Sequence, residues 1–238
     1  MLTLFLIIGA LYASFALIEH AKPARRLPRV ALWRVRGILA LLLYLAISVA
    51  GPMLWDATIA NHTLFDASAL ALWAQVGGGF LLLEFGVYVW HRMLHSVEPL
   101  WRLHQMHHSA ERIDVWSAFW FHPLDMVGWS LLSSLVLVGG FGISVEAAVI
   151  ITLISSFCSM FQHSNIRTPR WLGYFVARPE NHAAHHEREV HATNYGNVPW
   201  FDMLFGTFRN PERAPDETGF FDGASNRIGA LLIGRKIA

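Results

Sequence analysis

Histidine is the residue whose placement sets this chain apart. Thirteen histidines occur among 238 residues, and most fall into three short clusters. His91-Arg-Met-Leu-His95 has i, i+4 spacing, while His104-Gln-Met-His107-His108 and His182-Ala-Ala-His185-His186 share an i, i+3, i+4 pattern. On a helix this spacing turns two or three imidazoles toward a common point, which is what a metal ion requires of its ligands. A lone i, i+4 pair is common on a helix surface. Three clusters have no use in packing, because every imidazole carries polar nitrogens that need partners near a bilayer. Imidazole suits iron, zinc, copper and nickel. The single cysteine, Cys158, has no partner, so a disulfide framework, a thiolate site and an iron–sulfur cluster are excluded. Eight or nine imidazoles are too many for one ion. Two ions with four or five ligands each leave the open positions that a redox or hydrolytic site requires.

The elements that must position these clusters have the character of a membrane protein. Hydrophobic types make up 54% of the chain against 15% charged, a balance outside the soluble norm. The net charge of +1 and the lack of a basic patch interleaved with aromatics exclude a nucleic-acid partner. The first apolar run, Leu2 to Ile18, has its positive charge after it, the reverse of a signal peptide, and predicts a retained helix. Gly37 to about Trp55 and Ala67 to Trp90 each approach the ~20 residues that a span needs. Met126 to Phe161 is interrupted by Gly139, Gly140 and Gly142, which predicts a hairpin of two helices. Lys22, Arg25, Arg26, Arg29, Arg34 and Arg36 lie between the first two runs, whereas Asp56 to Asp66 holds neither Lys nor Arg. The positive-inside rule then puts the chain start outside. It also gathers His91 to His122, His163, and His182 to His191 on the cytosolic face, with His62 opposite. His20 and His62 stand outside every cluster.

The expected architecture is therefore all-α: a polytopic membrane helical bundle of about four to five apolar helices with a cytosol-facing helical cap carrying the histidines. A single domain is expected over 1–238, with two transmembrane helices in 1–66, the histidine region in 67–210 and a polar tail in 211–238. Within the third run, Glu84, Tyr88, His91 and His95 follow one helical face. A carboxylate inside a span is costly and usually functional, and Glu84 is expected to accept a hydrogen bond from a ligand histidine and fix its tautomer. Asp114, Asp125 and Asp202 carry a weaker form of that signal, with a solvated or capping aspartate as the simpler reading.

Taken in order, His91-Arg-Met-Leu-His95, Leu100-Trp-Arg-Leu-His104-Gln-Met-His107-His108-Ser109, Phe121-His122-Pro123, Gln162-His163-Ser-Asn-Ile166, His182-Ala-Ala-His185-His186, Asn194-Tyr-Gly196 and Leu204-Phe-Gly-Thr207 resemble the sterol desaturase and fatty acid hydroxylase superfamily, from about Glu84 to Phe208. The resemblance implies two non-haem iron ions, dioxygen as co-substrate and hydroxylation or desaturation of a lipid: a sterol, fatty acyl, alkyl ether or carotenoid. The family's eight-histidine signature falls on His91, His95, His104, His107, His108, His182, His185 and His186. His163 is implied as a ninth ligand, and His122 as a ligand or as a residue that orients one. Glu84, Tyr88, Asp114, Asn165 and Asn194 are the candidates for supporting the ligands.

The chain also departs from the family's pattern. Glu84 stands where many relatives have Asp, Trp120 where they have Arg before Phe-His-Pro, and Phe201-Asp202-Met203 where they have Trp-Asp-Arg. With no haem or ferredoxin segment recognisable, electrons are expected from a separate protein, a cytochrome b5-like or ferredoxin and reductase donor. Trp116, Phe119, Trp120, Phe121 and Trp129 are expected either to line a lipid entry or to anchor the interface. A bacterial plasma membrane is favoured over the endoplasmic reticulum by the excess of Arg over Lys. Three other classes compete with the oxidase, one of them a membrane cytochrome, which would place single histidines on facing spans and not in i, i+3, i+4 triplets. A membrane metal-binding or transport protein would line a path across the bilayer with its histidines, and a dizinc hydrolase would work without oxygen.

Overall fold

A computed structural model describes residues 2–238. Five helices are long and apolar enough to cross a membrane: α1 (Leu2–Ala21), α2 (Trp33–Ala60), α3 (Leu72–Ser96), the segment Pro123–Gly140, and a last span, Val145–His163. Between α3 and the fourth span lies α4 (Glu98–His108). The fourth span is α5 (Pro123–Ser134) followed by a π-helical stretch, Leu135–Gly140, and the fifth is α6 (Val145–His163). Short helices α7 (Pro179–His185), α8 (Trp200–Leu204) and α9 (Ile228–Leu232) complete the cap. No strand forms among the described residues; a single antiparallel bridge joins Glu187 to Thr218. The chain is all-helical, as its hydrophobic runs predict.

The spans expose apolar side chains such as Leu39, Leu42, Leu81 and Leu82, the surface that lipid covers in a helix with an unpaired apolar face. Inward faces are small and close. α2 packs on α5, and a Cβ on Gly37 would sit 2.6 Å from the carbonyl oxygen of Trp116, so only glycine lets α2 approach the turn at Val115–Ser117.

Element boundaries follow local chemistry. α3 ends at Ser96, and Glu98-Pro99 opens α4 with Pro in the first turn, where its missing N–H costs nothing. α2 runs on to Ala60, beyond its apolar stretch, because Asp56, Ala57 and Thr58 continue the helix past the hydrophobic pattern. The hairpin turn after Gly140 contains Gly142 at φ +56°, a backbone state that glycine adopts without penalty.

Residues 211–238 do not form a free polar tail. Leu231 is fully buried, Gln105 Nε2 donates to the carbonyl of Arg235 and Gln105 Oε1 accepts from the Ile237 N–H. The apolar Ile228–Leu232 segment supplies a face that α4 covers, and this docking overrides the polar composition around it.

The C-terminal ends of α3, α4 and α6, the start of α5 and the whole of α7 meet at one end of the bundle. The basic stretch that runs from the end of α1 into the first turn of α2 reaches the same end: the backbone N–H of Arg25 donates to Asn165 Oδ1 at 3.3 Å, and Arg36 donates to Asn226 Oδ1 at 2.9 Å.

Candidate metal centre

At that end, nine histidines form two groups whose candidate donor atoms lie within 4.8 Å of one another inside each group. Five belong to the first, His91, His95, His104, His108 and His185; four belong to the second, His107, His163, His182 and His186. All are buried except His95, which is half-buried. The eight signature positions and His163 are thus brought together.

The clusters divide in a way that spacing alone did not reveal. Each was expected to aim all its rings at one point. Instead every i, i+4 pair (His91 and His95, His104 and His108, His182 and His186) shares a group, while the i+3 member, His107 or His185, joins the other group. At 100° per residue, i+4 returns within about 40° of its start on one side and i+3 within about 60° on the other. The two H-x-x-H-H helices therefore lace both groups together.

The donor set fits cations. In the second group the Nε2 atoms of His163 and His107 are 3.2 Å apart, those of His182 and His163 2.9 Å, and those of His186 and His182 3.1 Å. In the first, His91 Nε2 and His104 Nε2 are 3.1 Å apart. Ligands about 2.1 Å from an ion and at right angles stand about 3.0 Å from each other. The Nε2 atoms of His95, His108 and His185 are buried without a hydrogen-bond partner, a cost that coordination would remove.

Protonation agrees. Burial first, and neighbouring imidazoles second, hold His107, His108, His182, His185 and His186 well below the ordinary value near 6.5. These rings are neutral at neutral pH, the form that binds metal.

The far nitrogen of several rings is tied down. His91 Nδ1 donates to the carbonyl of Tyr195 at 2.7 Å and His163 Nδ1 to that of Ser159 at 2.7 Å, and His185 Nδ1 donates to the carbonyl of Thr193. Such bonds fix the tautomer and aim Nε2 inward. His104 Nδ1 meets Asp125 Oδ2 at 2.8 Å with both side chains fully buried. Asp125, read from sequence as a capping or solvated residue, is in fact the carboxylate that touches an imidazole. Its signal was its place in the first turn of an otherwise apolar helix.

Glu84, expected in that role, does something else. Its carboxylate accepts from Asn197 N, Asn197 Nδ2 and Val198 N at 2.9–3.2 Å. It holds the 194–198 loop, and through it the Tyr195 carbonyl that orients His91. The loop's residue types follow from its path. Asn194 adopts φ +55°, which Asn tolerates better than most residues, and a Cβ on Gly196 would lie 2.6 Å from the Val198 carbonyl oxygen. Asp202 anchors the same loop by accepting from Tyr195 N and Gly196 N; burial pushes its carboxyl up in pKa.

The remaining sequence candidates lie apart from the rings. Tyr88 hydrogen-bonds Arg92 and Thr207. Asp114 accepts from Trp33 Nε1 and Arg112, and Asn165 binds the Arg25 backbone. Asn194 bridges Asn181 and Arg209. His122 belongs to neither group: its Nδ1 accepts from Leu124 N and its Nε2 donates to the carbonyl of Leu232, so it caps α5 and fastens α9. His191, unmarked by spacing, lies with Nδ1 3.0 Å from His108 Nδ1.

A cavity of about 110 Å³ opens below the rings between α2, α3, α5 and α6. Its walls include His91 and His104 from one group and His107, His163 and His182 from the other, together with Leu83. Phe121 forms part of the rim, stacked on His107 with centroids 4.1 Å apart.

Comparison with known proteins identifies the family. The fatty acid hydroxylase family model matches residues 76–207, more than half the chain, and the chain belongs to that family. It is similar to an ornithine lipid hydroxylase of Rhizobium tropici, 33% identical over 178 residues, covering 71% of this chain and 53% of the relative. A Delta(7)-sterol-C5(6)-desaturase of Nicotiana tabacum is 29% identical over 139 residues, 55% of this chain and 48% of that one. The human (Homo sapiens) alkylglycerol monooxygenase is 32% identical over 154 residues, 62% of this chain and 33% of the relative. The chain thus spans about half the length of the first two and a third of the last. No solved structure matches it.

Proposed function

We propose that this chain is a membrane oxygenase that holds two non-haem iron ions, one in each histidine group, and uses dioxygen and electrons from a separate donor protein to hydroxylate or desaturate a lipid. The observation that carries the reading is that histidines of both groups share the wall of one cavity reaching down among the spans. When bound, such an iron pair supplies dioxygen reduction coupled to hydrogen removal from an unactivated carbon.

The protein's own part is positioning. Asp125 and the carbonyls of Tyr195, Ser159 and Thr193 hold rings so that Nε2 faces inward. Leu83, Val87 and Phe121 give the cavity apolar walls that accept an alkyl chain and exclude bulk water. An apolar substrate enters from the spans, and the donor docks on the face where the cap lies. That face also carries the basic stretch that runs from the end of α1 into α2, so the positive-inside rule assigns it to the cytosol, in a bacterial plasma membrane. Residues 1–66 anchor, 67–210 bear the centre and 211–238 brace α4 within one domain. The relatives are named for oxidation of an ornithine lipid, a sterol and an alkylglycerol, and we place this chain's substrate among such lipids.

The test is metal analysis of purified protein alongside lipid profiling of cells with and without the gene under oxygen. About two irons per chain, no Soret band and an oxygen-dependent lipid product are expected. Zinc with oxygen-independent turnover, or metal uptake into vesicles, would overturn the proposal.

A further inference from the structure

The wall that α5 and α6 give the cavity is more polar than an alkyl chain requires. Ser155, Ser159 and Gln162 follow i, i+4, i+7 spacing on α6 and all line it, opposite Trp129 and Ser133 of α5. A polar stripe inside a span costs free energy unless its groups find partners. Two of the five are satisfied within the protein: Ser133 Oγ donates to the carbonyl of Trp129 at 3.1 Å and Ser159 Oγ to that of Ala118 at 3.4 Å. Three are not. Trp129 Nε1, Ser155 Oγ and Gln162 Oε1 are buried with no hydrogen-bond partner, although Gln162 Nε2 is held by Asn197 Oδ1 at 3.0 Å.

These three atoms form a complementary set. The indole N–H only donates, the amide oxygen only accepts, and the hydroxyl does either. Trp129 also stands edge-on to His91, with centroids 5.7 Å apart, and Gln162 precedes His163, so the set lies beside both histidine groups. A plain alkyl chain, an ether or an ester would leave the Gln162 oxygen without a donor. A secondary amide or a hydroxyl matches this set, giving its proton to Gln162 and accepting from Trp129 or from Ser155.

We infer that this cavity selects a lipid carrying a hydrogen-bond-donating and accepting group, an amide or a hydroxyl, close to the carbon presented to the histidines, with Trp129, Ser155 and Gln162 as the specificity-determining residues. The inference rests on the cavity being the substrate's place, as in the proposed function, but its test reads binding and not turnover.

Three probes of equal length separate the cases: dodecyl palmitate, N-dodecyl palmitamide and dodecyl 2-hydroxypalmitate. Binding to the purified full-length protein in detergent is followed by thermal stabilisation, which grows with occupancy of the folded state. The amide or the hydroxy ester is expected to bind about tenfold or more tightly than the plain ester, and whichever does so identifies the group. Gln162→Leu should collapse the preference toward unity. Ser155→Ala and Trp129→Phe, which keep bulk and shape, should each narrow it and serve should Gln162→Leu fail to fold. Equal binding of all three probes, the pattern expected when water alone meets the polar stripe, overturns the inference. So does a preference that survives all three substitutions. Iron content is read on the same samples: a preference in protein without iron overturns the oxygenase reading alone, and equal binding in iron-loaded protein overturns this one alone.

Discussion

The two histidine groups are built from the same residue type at the same end of the bundle, yet they are held differently. In the group of four, His163 is braced by its own helix through Ser159, and the Nδ1 atoms of His107 and His186 are buried without partners. In the group of five, the outer bonds come from non-helical chain and a carboxylate: the carbonyls of Tyr195 and Thr193 and the side chain of Asp125. Helices hold one group, and a loop pinned by Glu84 and Asp202 holds the other. The contrast teaches that the sequence between Thr193 and Asp202, which contains no ligand, governs one site far more than its neighbour.

Removing a ring from each group tests this most severely. His104→Ala and His163→Ala should each reduce bound iron toward one per chain and bring turnover to background, with the lost ion belonging to the altered group; loss of both ions from either variant would mean that the groups act as one. Asp125→Asn should weaken metal binding by about 10–100-fold in the group of five alone, read as one weak and one tight class in a metal titration. A uniform weakening would erase the distinction. Glu84→Gln keeps the volume but sets an amide NH2, which cannot accept, against one of the loop's N–H donors, with a cost of about 1–3 kcal/mol. Thermal unfolding should shift down, and the five-histidine site should lose metal first. Least of all, His122→Ala should cost about 0.5–2 kcal/mol as a lost helix cap and leave metal content unchanged; a drop in iron would make His122 a ligand after all.

The same contrast separates what spacing can and cannot convey. The i, i+4 pairs were legible because a helix fixes them locally, and so were the five apolar segments, since length and hydropathy suffice for a span. The split of each H-x-x-H-H between two groups was not, because it depends on where the neighbouring helices put the other rings. Asp125 looked like an ordinary capping residue until α5 was packed beside α4, and Glu84 looked like a partner for histidine until the 194–198 loop folded over it. The docking of Ile228–Leu232 onto α4 was hidden by the polar composition around it.

By itself the sequence determined an all-helical chain with apolar spans and eight histidines clustered at helical spacing, because hydrophobic runs and helical periodicity are local properties of the chain; His163 entered only through the family resemblance. Only the tertiary structure decided how those histidines divide, which carboxylate touches a ring and which polar groups of the cavity's lining residues are left without partners. Those outcomes depend on contacts between residues far apart in sequence, such as His91 with Tyr195 or Glu84 with Asn197, and no local pattern encodes the register in which distant segments meet.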